Sequence, residues 1–149
     1  MNIHFPEYQT YIHVEIRGGT MQGEWVVKNR DDYRIPFYAY SGRDFRFTPL
    51  KQAPDKNLSG EWATLIGTDT ENPEKAIGEF RQEGNHLEGT YRTETGDYRF
   101  LEGTVQGRKF WMSTFDGTHA YLFSGSARGD SLFGEFRSGK HYRALMSSW

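Results

Sequence analysis

The residues best equipped for chemistry are one histidine and two aspartates. His119 closes the segment Phe115-Asp116-Gly117-Thr118-His119, and Asp97 stands in a second polar turn, Thr95-Gly96-Asp97. An imidazole titrates near neutrality and a carboxylate beside it fixes its tautomer, so His119 with Asp97 or Asp116 could act as a general acid or base. A buried histidine hydrogen-bonded to a neighbour is the commoner outcome for such a residue. Gly-Glu-aromatic steps recur at Gly23-Glu24-Trp25, Gly60-Glu61-Trp62, Gly78-Glu79-Phe80 and Gly134-Glu135-Phe136. Strand alternation puts each glutamate opposite its aromatic, on a wet face without the burial and fixed separation that paired catalytic carboxylates need. His4, His13, His86 and His141 show no metal-ligand spacing and the chain has no cysteine, so neither a metal nor a cofactor is expected. No phosphate loop or nucleophile elbow occurs.

These residues must be positioned by strands. The chain has 149 residues, a formal charge of −2, 16% aromatics and 17 glycines. Aromatic-rich runs broken by glycine turns imply a nearly all-β fold, and no segment sustains a helical apolar stripe. The near-neutral charge without a Lys/Arg cluster argues against nucleic acid as partner, and no apolar run is long enough for a membrane helix. Three segments share the form turn, apolar, x, Gly, x, aromatic: Arg17 to Trp25, Glu83 to Tyr91 and Arg128 to Phe136. Each reads as a β-hairpin. A Pro-containing connector over 48–57 separates an N-terminal antiparallel strand group (1–47) from eight strand-like runs in 58–149, the number of a small closed up-and-down barrel. That barrel is expected to be lipocalin-like or avidin-like.

Turn chemistry then sets the register. Asp116-Gly117 as a two-residue turn pairs Thr114 with His119 and Phe110 with Phe123; Gly129-Asp130 pairs Phe123 with Phe136 and Ala127 with Leu132; Gly84-Asn85 pairs Phe80 with Gly89. A one-residue slip would bury charges, so Phe110, Met112, Thr114, His119, Tyr121, Phe123, Leu132 and Phe136 are expected inside, and Arg99 with them. The opposite parity sends Tyr98, Phe100, Trp111, Phe115 and Leu122 outward. That stripe is too apolar for a wet face and calls for a cover, either the chain's own N-terminal strands or a docked domain. Alternate loops share one barrel rim, which would gather Asp97, Asp116, Lys140 and His141, with Arg99, Thr114 and His119 just inside it. Arg99, Thr114, Asp116, His119, Lys140 and His141 form the expected binding set, for a small or peptide ligand.

Several motifs taken together carry a resemblance. Tyr33-Arg34-Ile35-Pro36-Phe37, Leu58-Ser59-Gly60-Glu61-Trp62, Glu71-Asn72-Pro73 through Ala76-Ile77-Gly78-Glu79-Phe80, Thr95-Gly96-Asp97-Tyr98-Arg99-Phe100-Leu101-Glu102-Gly103, Phe115-Asp116-Gly117-Thr118-His119-Ala120 and Ser138-Gly139-Lys140-His141-Tyr142 are similar to the β-rich region preceding the thioredoxin domain in TlpA-like thiol-disulfide oxidoreductases, mostly of Bacteroidetes. The resemblance implies a periplasmic or otherwise extracytoplasmic setting and a redox domain with Cys-x-x-Cys, which this chain lacks. No catalytic residue transfers. The resulting expectation is a non-catalytic accessory module that docks a thioredoxin-like domain of its parent chain or another protein, or binds a small ligand. An enzyme using His119 is the alternative. Homo-oligomerisation through an exposed edge strand is a further expectation.

Overall fold

Alternating aromatic and polar residues between glycine turns produce strands almost throughout. The computed structural model describes residues 1–31 and 33–149, and they divide into two units: Met1–Asp44 with Phe115–His119, and Phe45–Thr114 with Ala120–Trp149.

The first unit is a four-stranded antiparallel sheet in the order β1 (Asn2–Phe5), β2 (Thr10–Arg17), β3 (Thr20–Val27) and β4 (Tyr33–Tyr40). Gly18 and Gly19 make the β2–β3 turn at positive φ, pairing Arg17 with Thr20. Ile12, Val14 and Trp25 form its buried centre, with Phe5, Met21, Val27, Tyr33, Ile35 and Phe37 packed around them. The loop Phe115–His119 belongs to this unit. Phe115 meets Phe5 and Trp25 edge-on at ring separations of 5.4 and 5.7 Å, and the Thr10 hydroxyl donates to the Gly117 carbonyl. Of the sheet's two edges, β1 is four residues long and β4 carries Pro36, which withholds a backbone donor.

The second unit is a closed eight-stranded antiparallel barrel. Its strands are β5 (Gly60–Ile66), β6 (Glu74–Glu83), β7 (His86–Thr93), β8 (Asp97–Gln106), β9 (Lys109–Phe115), β10 (Ala120–Arg128), β11 (Ser131–Ser138) and β12 (His141–Ser148), each paired with its neighbour in sequence, and β12 closes on β5. The segment before β5 returns to the barrel: Gly107 exchanges backbone hydrogen bonds with Ala53 and Asp55 at 3.0 and 2.9 Å. Leu58 is buried there and accepts the Trp62 indole N–H at 2.9 Å.

The lumen is filled. Trp62, Tyr91, Leu101, Val105, Phe110, Met112, Phe123 and Leu132 are each at most 1% exposed. At about 1.5–3 kcal/mol for each large apolar side chain removed from water, this interior is the main source of the barrel's stability. The glutamates of the Gly-Glu-aromatic steps face outward while Trp25, Trp62, Phe80 and Phe136 are buried, as alternation requires. Pairings at the Gly84-Asn85 and Gly129-Asp130 turns match the sequence register: Phe80 opposes Gly89, Phe123 opposes Phe136, and Ala127 opposes Leu132.

Two expectations need correction. Asp116 N–H donates to the His119 carbonyl and Ala127 N–H to the Arg108 carbonyl, so the β9–β10 turn is Gly117-Thr118 and the register is two residues from the expected one. A shift of two preserves the faces, which is why Phe110, Met112 and Phe123 are still buried. The β8 error matters more. Tyr91 opposes Tyr98 but Gly89 opposes Leu101, so a bulge at Arg99 and Phe100, with Phe100 at φ 56°, inverts the parity before it. Tyr98 turns inward, packing on Tyr121, Phe123 and Phe136, and Arg99 points outward, not into the lumen.

Candidate functional site

Three places gather the residues that could do chemistry. The first is the β9–β10 loop. Asp116 caps it by accepting the backbone N–H of Thr118 at 2.8 Å and of His119 at 2.6 Å, and its other oxygen lies 3.1 Å from His119 Nδ1. Partial desolvation pushes the Asp116 carboxyl upward, but the hydrogen bonds from Thr118 and His119 outweigh it, and the net direction is down. The pair is about half exposed. His119, expected just inside the barrel rim, is thus a surface residue of the first unit, held by its own loop.

The second place is the β7–β8 end of the barrel. Asp97 binds the Arg99 guanidinium through Nε at 3.1 Å and Nη2 at 2.8 Å, which uses the carboxylate expected as an alternative partner for His119. Below them Tyr98, Tyr121, Phe123 and Phe136 pack edge-on or tilted, with ring centroids 4.7–5.8 Å apart, and fill the lumen. Burial, then the charge of Glu74, then Tyr121 push the Tyr98 phenol up to about 12. Deeper in, burial holds the Tyr91 phenol far above the ordinary tyrosine range. The Ser147 hydroxyl offsets part of this without reaching hydrogen-bond geometry, and is itself 2.8 Å from Thr64 Oγ1.

The expected binding set is therefore divided. Asp116 and His119 belong to the first unit, while Arg99, Thr114, Lys140 and His141 belong to the second; Thr114 is half-buried and Lys140 and His141 are exposed. The expected outer stripe divides as well. Tyr98 is internal, Phe115 is packed on Phe5 and Trp25, Trp111 and Leu122 are half-buried, and Phe100 is 86% exposed.

The third place was not foreseen. On the outer wall of β5–β8 a groove of about 680 Å³ is lined by Glu61, Glu79, Arg81, Glu88, Phe100 and Glu102, with the glycines Gly60 and Gly89 in its floor. Register explains its shape. Glu61 opposes Glu79, Glu79 opposes Thr90, and the Phe100 bulge falls opposite Thr90, forming one row across four strands. Arg81, Glu88 and Glu102 form the parallel row. Glu79 pairs with Arg92 at 2.7 Å, Glu88 with Arg81 at 3.4 Å and Glu102 with Arg46 at 3.2 Å, whereas Glu61 has no ion pair among the described residues. Alternation shows in the sequence that these carboxylates and Phe100 face out, whereas the left-handed backbone at Phe100 belongs to the bulge, which no turn residue announces.

Among the described residues no group of three or more His, Asp and Glu side chains is placed to hold a metal ion, and no helix is long and apolar enough to cross a membrane. No protein-family model and no curated protein matches the chain.

Proposed function

We propose that this chain is a non-catalytic docking module of an extracytoplasmic, TlpA-like thiol-disulfide oxidoreductase, and that it seats a thioredoxin-like domain or another protein on the outer wall of its barrel. The observation that carries the reading is Phe100: a phenyl ring 86% exposed, held at φ 56° where a non-glycine residue is strained. An exposed apolar ring on a strained backbone, beside a charged groove, is a feature that a protein contact would use, and this supports the reading. The filled lumen favours the wall over the interior as the binding surface. The motif resemblance described above supplies the setting and the partner class. Calorimetric titration of the chain with a TlpA-like thioredoxin domain tests the reading. Binding that is lost in Phe100→Asp supports it; absence of binding to any such domain ends it.

The Asp116–His119 pair favours a second reading, in which His119 is an acid or base oriented by Asp116. A turnover screen on esters and glycosides decides it. Activity abolished in a folded His119→Ala variant would replace docking with catalysis.

A further inference from the structure

The outer groove of β5–β8 also indicates what kind of segment would sit there, an inference that rests on the docking reading and adds to it the partner's chemistry. We propose that the groove receives an extended basic segment of a partner protein, with an arginine or lysine beside Glu61 and Glu79 and an apolar side chain on Phe100.

Strands lie about 4.8 Å apart, so a row crossing four of them spans about 14 Å, the length of roughly four extended residues. The two rows of outward side chains, Glu61-Glu79-Thr90-Phe100 and Arg81-Glu88-Glu102, make the sides of this channel, and between them runs the row Gly60-Phe80-Gly89-Leu101, whose Phe80 and Leu101 side chains turn inward and leave backbone as the floor. The charges select the occupant. Four carboxylates and one guanidinium line the groove. Glu61 stands directly opposite Glu79, and Glu88 opposite Glu102, a like-charge arrangement that costs stability in a sheet. Arg81, Arg92 and Arg46 answer three of the four, which leaves Glu61 without an ion-pair partner among the described residues. A basic side chain reaching Glu61 would complete the pattern. Phe100, at the β8 end of the same row, offers a flat apolar surface to a residue about three or four positions further along an extended chain, and its ring can also accept a guanidinium on its face.

The test uses a fluorescein-labelled serine-based peptide of about nine residues carrying three arginines and two leucines, and its counterpart with glutamates for arginines, read by fluorescence anisotropy on the full chain. The arginine peptide should bind about tenfold more tightly than the glutamate peptide and should weaken with salt. Glu61→Gln should weaken it about two- to fivefold, the size expected of an exposed ion pair. Phe100→Gly should weaken it about tenfold without loss of thermal stability, since glycine suits the left-handed backbone there. Equal binding of the two peptides, no binding of either, or full affinity in Phe100→Gly would overturn the proposal. If a thioredoxin-like domain binds while the arginine peptide does not, the basic-segment inference falls and the docking reading stands. If neither binds, both fall.

Discussion

Tyr98 lies opposite Tyr91 and both rings turn into the barrel, whereas Leu101 lies opposite Gly89, so β8 sets Arg99 and Phe100 against the single residue Thr90. One extra residue thus converts a strand with a predicted inward arginine into one with an inward tyrosine, an outward arginine and a fully displayed phenylalanine.

The bulge makes the backbone at residue 100 a point of strain that substitution can relieve. Left-handed geometry costs an L-residue about 1–2 kcal/mol, while glycine loses about 0.5–1 kcal/mol through the greater freedom of its unfolded chain. Phe100 buries almost nothing that could be lost. Phe100→Gly should therefore leave stability unchanged or raise it by up to about 1 kcal/mol, and Phe100→Val, β-branched at the same φ, should lower it by about 1 kcal/mol or more. Urea midpoints of the two variants, compared with the parent, check the order.

Tyr98 and Tyr91 predict a loss of stability at high pH. Both phenols are raised in the folded chain, Tyr98 to about 12. Above a pH of about 10 the unfolded chain releases protons that the folded one keeps, so their contribution is complete below that pH and falls as the pH rises toward the folded values. The slope is at most about 1.4 kcal/mol per pH unit for each group, and less for Tyr98, which is only half-buried. Tyr91→Phe should reduce the slope while changing neutral-pH stability by less than about 1 kcal/mol, because its hydroxyl makes no hydrogen bond of good geometry among the described residues. Denaturant titrations at neutral pH and across the alkaline range measure both effects.

Asp116 predicts the opposite limb. Its carboxyl is lowered in the fold, so the stability it lends is present above a pH of about 4, the ordinary aspartate value, and is lost as the pH falls through the folded value below that. Asp116→Asn should cost about 0.5–1 kcal/mol at neutral pH, a modest figure because the side chain is half exposed. That cost should shrink in acid, where the parent carboxyl is itself protonated. Chemical denaturation of both chains at neutral pH and near pH 3 gives the comparison.

How much of this was legible in the sequence follows from what each feature depends on. Gly84-Asn85 and Gly129-Asp130 are short-range turn signals, and the pairings of Phe80 with Gly89 and Phe123 with Phe136 follow from them by counting. The Asp116-Gly117 signal was misplaced by one residue at the turn, because the aspartate side chain caps the loop instead of occupying its centre; the faces survived since the register changed by two. Arg99 and Tyr98 take the faces opposite to those that strand parity implies, because a bulge without glycine leaves no local mark and parity carried past it reverses, whereas Phe100 keeps its expected outward face. His119 was expected at a shared rim with Lys140 and His141, but loop 115–119 belongs to the sheet unit, held by contacts to Thr10, Phe5 and Trp25 that are distant in sequence.

Close strand approach at Gly103 gives the sharpest prediction. Gly103 sits between Leu87 on β7 and Met112 on β9, and a Cβ added there would lie 1.7 Å from the Trp111 carbonyl oxygen and 2.8 Å from the Met112 Cα. Both obstructing atoms are backbone, so no rotamer change relieves the clash and the strands must separate. Gly84 is the useful contrast, since its added Cβ meets nothing within 4 Å and the only penalty comes from φ 58°. Gly84→Ala should cost about 1–2 kcal/mol, the left-handed penalty alone. Gly103→Ala should exceed the roughly 1–3 kcal/mol of ordinary overpacking, enough to lower the yield of folded protein. Thermal melts of the two variants decide the matter: equal losses would mean that the β8–β9 spacing is looser than these contacts require.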